Sequence, residues 1–335
     1  MKRISGAFAV LVFGLAWLVA CGANEGTSGE VFTLSFAHNV GDVHPRGYMI
    51  QGFADLVYER SNGRLVIEVF SHAQFGSDYE VMAQIVEGTV DMTAILSANM
   101  SHIVPEIALF DLPYLFFSME QAWDALQGGL GEQLSNLLAR QGLVSLGYQT
   151  AGFRHLTNNV RPIYSVSDMD GLNIRVSQSH FLIAQFRAIN AGGISIPWGE
   201  LPAAFEAGLA DGQENPLPTI ISAGIYEMQN YLTISNHSFT VYPAIISART
   251  YNSLPEDLRQ ILRDTFIEID ALQWAAIAEA FDEQLAYLYT TGISINYLSA
   301  DAMQGFRDAT QGVYDEFSLM PGGASLIIVA ARYLE

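Results

Sequence analysis

The amino-acid sequence predicts an α/β protein of two similar lobes, and three features lead to this prediction. A strand, a helix and a second strand follow one another between Phe32 and Phe70, an order typical of a parallel βαβ unit. The segment Glu80–Asp91 aligns without gaps with the segment Glu200–Asp211. An apolar helical pattern continues from Leu258 to about Tyr289, which is too long for one small lobe.

The first unit places polar side chains at one edge of the predicted sheet. Alternating apolar residues predict strands at Phe32–Phe36 and at Arg64–Phe70. Parallel strands end at a common edge, which is where α/β proteins bind ligands. His38 and Asn39 follow the first strand, so we expect both side chains at this edge.

The two aligned segments indicate one element that is used twice. In each, an amphipathic helix begins near a glutamate and ends on a glycine, Gly88 or Gly208, that can adopt a positive φ. After two further residues, Asp91 or Asp211 begins a short extended segment. The repeat predicts two similar lobes that face each other. The alternative is that the two segments match by chance.

The long helical pattern supports the same architecture. At 1.5 Å per residue, one helix from Leu258 to Tyr289 would be about 50 Å long and would contact both lobes. A coiled-coil dimer is the competing interpretation, but the apolar spacing drifts and has no strict heptad. With Gln149–Phe153 as a first crossing segment, we expect lobe I at 31–151 plus 241–280 and lobe II at 152–240 plus 281–335.

The charge argues against nucleic acid as a partner. The 335 residues include 15 Lys and Arg against 35 Asp and Glu, which gives a net charge of −20. Neutralising phosphates requires clustered basic residues, and the sequence has no basic patch. The overall field mildly repels small anions too, so an anionic ligand would have to be bound by a few local positive groups.

The N-terminus is typical of an exported protein. Residues 1–20 have a basic start and an apolar run that is too short to span a bilayer comfortably. Cys21, the only cysteine, follows a small residue as in a bacterial lipobox; ordinary cleavage is the alternative. Two acyl chains would anchor the protein stably, with 21–30 as a flexible tether. We expect a periplasmic or otherwise extracytoplasmic lipoprotein.

Arg175 is the first candidate binding residue. Leu172, Ile174 and Val176 share one face of a short strand, and Arg175 projects from the other face of a segment expected to be buried. A buried guanidinium needs a partner, and its planar fork suits a carboxylate. An acidic side chain of the protein and an anionic ligand are both possible partners.

Three ordered motifs carry a resemblance to a known family. The motifs are Gly152–Asn158, Gly171–Val176 and Asp211–Pro216. In this order and spacing they resemble the DctP-type solute-binding proteins of TRAP (tripartite ATP-independent periplasmic) transporters, and the resemblance extends from Phe32 to about Leu319. It implies a two-lobed periplasmic-binding-protein-like fold (type II) with a long helix that spans both lobes and with a hinge that closes on the substrate.

The resemblance also implies roles for residues of the second lobe. Arg175 would bind the substrate carboxylate, assisted by Arg154 and Asn215. Trp198 would stack on the ligand, although core packing would explain it equally well. Glu214 would contact a ligand hydroxyl or only water.

The first lobe would contact the other end of the ligand. Asp78 and Asn39 match family positions of this kind, and His38 is a candidate from its place after the first strand. Arg46 is the only arginine in the edge loops of this lobe. Because Asp78 would repel a second carboxylate and accept hydroxyl hydrogens, we expect a small monocarboxylate such as a uronate or other sugar acid. A C4-dicarboxylate is the alternative.

The sequence predicts neither catalysis nor a cofactor. It contains no Gly-x-Ser-x-Gly, His-Glu-x-x-His or phosphate-loop motif. His38, His44 and Asp42 do not have the spacing of a metal site, so no metal is expected. The partners implied by the resemblance are a small carboxylate and the small and large TRAP membrane subunits. A ligand sensor of the same fold that acts on a receptor kinase is the second hypothesis, and a binding protein of an ABC transporter is the third.

Overall fold

One mixed sheet organises residues 30–334, the part of the chain that the computed structural model describes. Its strands are β1 (Phe32–Ala37), β2 (Leu65–Phe70), β3 (Met92–Ala94), β4 (Leu143–Asn158), β5 (Asn173–Val176), β6 (Gly192–Ser195), β7 (Gly212–Asn215), β8 (Tyr231–Ser247) and β9 (Ser294–Tyr297).

Helices connect these strands and follow the last of them. They are α1 (Pro45–Arg60), α2 (Asp78–Glu87), α3 (Ser97–Met100), α4 (Met119–Gln127), α5 (Gly129–Arg140), α6 (His180–Ala188), α7 (Leu201–Glu206), α8 (Leu217–Ser222), α9 (Ile225–Met228), α10 (Ala248–Ser253), α11 (Glu256–Glu279), α12 (Phe281–Tyr289), α13 (Ala300–Ser318) and α14 (Gly323–Ala331). Short 3₁₀ helices lie at Pro105–Asp111, Val166–Met169 and Trp198–Glu200.

The two ends of the sheet have the same arrangement of strands. The order is β2-β1-β3-β8-β4-β7-β5-β6, and β9 pairs with β8. At one end β1 lies parallel between β2 and β3, and at the other β5 lies parallel between β6 and β7. β3 then pairs antiparallel with β8, as β7 does with β4. This pseudo-symmetry is the structural form of the two lobes predicted from the sequence.

The repeated element is confirmed in detail. Gly88 and Gly208 both have positive φ, at 81° and 65°, where a glycine is favoured. The carboxylate of Asp91 accepts a hydrogen bond from the Ser35 backbone N–H on β1 at 2.9 Å. The carboxylate of Asp211 accepts the matching bond from the Asn173 backbone N–H on β5 at 2.7 Å. Each aspartate therefore ties the end of its repeat to the central strand of its own lobe.

Two long strands, β4 and β8, run between the ends of the sheet. Their pairing is irregular where the sequence predicts a crossing segment: Gln149 pairs with Tyr242, and the next regular pair is Gly152 with Thr240. Between these pairs the Thr150 hydroxyl donates to the Thr240 carbonyl at 2.7 Å, and the Thr240 hydroxyl donates to the Gly152 carbonyl at 2.8 Å. Side chains thus replace backbone pairs at the middle of the sheet.

The long helical pattern forms two consecutive helices instead of one. α11 and α12 meet at Ala280, whose ψ of −9° departs from the usual helical value of about −42°. Phe266 of α11 packs in the core of the first βαβ unit, and Leu288 of α12 packs beside the start of β8. Phe281, directly after the break, contacts the His155 ring of β4 edge-on. The helix pair still reaches both lobes, with a bend where it passes β4.

The lobe limits expected from the sequence stay a prediction. The packing of the C-terminal helix bears on them, because Leu326 and Ala330 of α14 share a core with Leu134 of α5. This contact argues for grouping α14 with the first lobe, although the predicted limits place 281–335 in the second.

The predicted signal peptide (1–20), Cys21 and nearly all of the tether at 21–30 lie outside the described residues. Within residues 30–334, none of the helices has both the length and the apolar character needed to cross a membrane.

Gly212 provides a test of the sheet assignment. A Cβ atom at this position would lie 2.0 Å from the backbone oxygen of Thr157 on β4. Gly212→Ala is therefore expected to lower the free energy of unfolding by about 1–3 kcal/mol in urea titrations. Gly52→Ala on α1 is the control, since no atom lies within 4 Å of its added Cβ and alanine is favoured in helices by about 1 kcal/mol. Equal stability of the two variants would contradict the β4–β7 pairing.

Candidate functional site

A cavity between the two lobes is lined by the residues that follow the central strands. The β1–α1 connection, α2 and α3 contribute one side, and β5, β7 and the 3₁₀ helix at Trp198–Glu200 contribute the other. The lining side chains are mainly polar: Asn39, Arg46, Asp78, Asn99, Arg175, Ser177, Trp198, Asn215, Thr219 and Tyr242, together with Val40 and Leu96.

Arg175 is buried in this cavity, and none of the described residues gives it a carboxylate partner. Its side chain is 3% exposed, and its Nε donates to the Ile196 carbonyl at 2.8 Å. Among residues 30–334 no Asp or Glu lies within ion-pair distance of it, and its two terminal nitrogens have no hydrogen-bond partner in that range. Burial lowers the pKa of Arg175 to about 10, so the guanidinium is still charged at neutral pH. The internal ion pair that the sequence left open is therefore absent among the described residues.

Trp198 lies beside this guanidinium, and Asn215 lines the same cavity. The Arg175 Cζ atom is 5.7 Å from the centre of the Trp198 ring, within the range of a cation–π contact. Asn215 follows Glu214 on β7, and its Nδ2 donates to the Gln213 side chain at 2.5 Å. Its amide thus has a fixed orientation at the cavity wall, and Trp198 adds a flat apolar surface.

Arg154 and Glu214 bind each other and do not line the cavity. Nε and Nη2 of Arg154 both donate to the Glu214 carboxylate, and Nη2 also donates to the Glu214 carbonyl at 2.7 Å. Glu214 is fully buried. Burial acts to raise the pKa of Glu214, but Arg154 and His237 outweigh it and hold the pKa below its usual value. Arg154 and Glu214 thus form a buried ion pair between β4 and β7, and the ligand contacts expected for them stay a prediction.

Asp78 and Asn39 meet on the opposite side of the cavity. The two carboxylate oxygens of Asp78 accept hydrogen bonds from Asn39 Nδ2 at 2.9 Å and from Asn99 Nδ2 at 2.6 Å. Burial raises the pKa of Asp78, while Asn99 and the charges of Arg46 and Arg175 act against that rise. The carboxylate keeps free lone pairs, so it can accept further hydrogen bonds.

Arg46, which the sequence marks only as an arginine of the edge loops, also lines the cavity. It is 1% exposed, its Nη2 donates to the Ala94 carbonyl at 2.5 Å, and its Cζ lies 3.5 Å from the centre of the Tyr242 ring. Burial lowers the pKa of Arg46. The signal in the sequence is its place directly after the β1–α1 connection, in the first turn of α1, at the edge where parallel strands end. The cavity therefore has an arginine on each side.

His38, which was also expected at the ligand edge, is not among the residues that line the cavity. Its ring is 3% exposed, neither nitrogen has a partner among the described residues, and burial, followed by the charge of Arg46, lowers its pKa to about 4. His44 caps α1 instead, since its Nδ1 accepts from the Arg46 backbone N–H at 3.1 Å. Within residues 30–334 there is no group of three metal-binding side chains.

Comparison with known proteins places this geometry in a family. The model of the bacterial extracellular solute-binding proteins, family 7 (DctP), matches residues 36–319, from the end of β1 to the end of α13. A C4-dicarboxylate-binding protein, DctB, of Bacillus subtilis is 27% identical over 331 residues, which are 95% of each chain.

Solved structures agree with the curated relatives. The sugar acid binding protein DctPAm of Advenella mimigardefordensis, in complex with galactonate, has a TM-score of 0.87 and 27% identity, covering 91% of this chain and 99% of its own. A TRAP periplasmic solute-binding protein of Shewanella oneidensis with bound succinate has a TM-score of 0.86 and 30% identity, covering 92% and 100%. The chain is thus a member of the DctP family, the solute-binding proteins of TRAP transporters.

Proposed function

We propose that Arg175 captures a small organic acid by its carboxylate while the two lobes close around the ligand. The observation that carries this proposal is the buried guanidinium of Arg175, which has no carboxylate partner among the described residues. A ligand carboxylate would supply that partner in a bidentate, charge-assisted contact. Asn215 and Trp198 flank the same position and would orient the carboxylate and the adjoining carbon chain.

We further propose that the ligand carries one carboxylate and a hydroxylated body, as in a sugar acid or uronate. The charged side chains that line the cavity are Arg46, Arg175 and Asp78. When Asp78 is ionised their sum is +1, which one carboxylate neutralises. A C4-dicarboxylate would be matched only if Asp78 took up a proton on binding. Relatives bind acids of both classes, galactonate in one structure and succinate in another.

We infer that the ligand-loaded protein docks on the small and large TRAP membrane subunits and that lipidation of Cys21 tethers it to the membrane. The family supports the first inference and the sequence around Cys21 the second. The same binding site would serve a sensor that presents its closed form to a receptor kinase. Genes for TRAP membrane subunits beside this one would favour the transporter.

The two buried arginines should respond differently to truncation. Arg175→Ala is expected to weaken ligand binding by about a hundredfold or more, because breaking a buried charge pair with the ligand costs about 2–5 kcal/mol. Arg154→Ala removes the arginine that pairs with the buried Glu214 carboxylate, so it should lower folding stability by about 3–5 kcal/mol. Calorimetry with galactonate and succinate, and urea unfolding, measure the two effects. Arg175→Lys should not restore affinity, because an ammonium cannot make the bidentate contact.

For Arg175→Ala, the free energy of unfolding without ligand should not fall as it does for Arg154→Ala. Wild-type affinity in Arg175→Ala would contradict the carboxylate assignment.

Asp78→Asn is expected to separate the two ligand classes. It removes an ionised acceptor of hydroxyl hydrogens, a bond worth about 1.5–3 kcal/mol, so galactonate and D-glucuronate should bind about tenfold or more weakly. Succinate should not be weakened, because its second carboxylate no longer faces Asp78. In the wild type, any succinate binding should strengthen as the pH falls, since the raised pKa of Asp78 favours proton uptake. Tight, pH-independent binding of succinate with none of galactonate or D-glucuronate would contradict the sugar-acid assignment.

Lipidation of Cys21 has a direct test. Cells fed labelled palmitate should label the wild-type protein and not Cys21→Ala, because the acyl chains would require this cysteine. A mature protein whose N-terminus lies well away from residue 21 would contradict the anchor.

A further inference from the structure

The backbone of Gln178 is held from both sides by the opposite lobe. Gln178 lies between β5 and α6 of the second lobe. Its N–H donates to Asn99 Oδ1 at 3.3 Å, and its carbonyl accepts from the Tyr79 hydroxyl at 3.3 Å. Tyr79 is on α2 and Asn99 on α3, so both bonds cross the ligand cleft.

The same two residues are connected to Asp78, the acidic group of the cavity. Asn99 uses its other amide atom, Nδ2, to donate to Asp78 Oδ2 at 2.6 Å. Tyr79 follows Asp78 in the first turn of α2, and its ring stacks on His102 with the ring centres 4.1 Å apart and the planes 12° from parallel. The Tyr79 hydroxyl is therefore held in place toward Gln178, independently of any ligand.

We propose that Tyr79 and Asn99 form a clasp on the Gln178 peptide that links occupation of Asp78 to lobe closure and sets the rate at which the ligand leaves. This inference rests on the proposed capture of an organic acid by closure. A ligand hydroxyl on Asp78 would fix the orientation of this carboxylate and, through it, the Asn99 amide whose oxygen binds Gln178.

The length of the two bonds explains why the clasp is reversible. At 3.3 Å they lie just beyond the usual range of N–H···O and O–H···O distances, so each contributes modestly. When the lobes separate, the donor and acceptor groups of these two bonds form hydrogen bonds with water instead. The clasp thus slows opening without preventing it, and it acts on dissociation because both bonds cross the cleft and must break when the lobes separate.

Tyr79→Phe tests the clasp, because it removes the hydroxyl, keeps the stacked ring and leaves the cavity lining unchanged. The probe is whichever of galactonate, D-glucuronate, 2,3-diketo-L-gulonate and succinate gives the largest thermal shift. Stopped-flow measurements should show dissociation that is about threefold to tenfold faster, with an unchanged association rate. Tyr58→Phe is the matched control: it removes the hydroxyl of an exposed tyrosine on α1 and should leave both rates unchanged.

Hydrogen exchange at saturating ligand gives a second readout, because saturation compensates for any loss of affinity from Asn99, which lines the cavity. The Gln178 amide should exchange slowly in the ligand-bound wild type and faster in Asn99→Ala, which removes its acceptor. Unchanged dissociation in Tyr79→Phe, or an effect on association alone, overturns the clasp and leaves acid capture standing. If the wild type binds none of the probe acids, both the clasp and the proposed function fail.

Discussion

The charge of Arg175, which has no carboxylate partner in the part of the chain that the structure describes, is the constraint on which the rest of the site depends. Taking a cation out of water costs several kcal/mol unless a partner is supplied. The Ile196 carbonyl and the Trp198 ring supply part of the compensation, and Glu214 and Asp78 contribute at longer range. A ligand carboxylate can offset the rest of this desolvation cost. This short-range attraction is what allows a protein of net charge −20 to bind an anion.

The ion pair of Arg154 and Glu214 keeps Arg175 available. Glu214 lies next to Asn215 on β7 and would be the natural partner of a nearby arginine. Because Arg154 occupies both oxygens of its carboxylate, Glu214 does not come within ion-pair distance of Arg175. The pair also fixes β7 against β4, which orients the Asn215 amide. Arg154 and Glu214 thus contact each other between β4 and β7, next to the residues that line the cavity.

Sequence reasoning recovered the parts of the fold that depend on local patterns. The βαβ unit, the repeated element ending at Asp91 and Asp211, and a buried Arg175 all follow from periodicity and glycine positions. The partner of Arg154 did not follow, because it depends on pairing between strands about sixty residues apart in the chain. The direction of Arg46 did not follow either, because the first turn of α1 shows no periodicity that separates a cleft-facing side chain from an exposed one.

The far side of the cavity presents opposite charges that do not cancel each other. Within residues 30–334, Arg46 and Asp78 form no ion pair; Arg46 donates to the Ala94 carbonyl and Asp78 accepts from Asn39 and Asn99. A second ligand carboxylate would be attracted by Arg46 and repelled by Asp78. A ligand ammonium would be attracted by Asp78 and repelled by Arg46. A ligand hydroxyl can accept a hydrogen bond from Arg46 and donate one to Asp78. A hydroxylated chain thus suits the charges of both groups, and Asn99, which donates to Asp78, also accepts from the Gln178 backbone N–H of the opposite lobe.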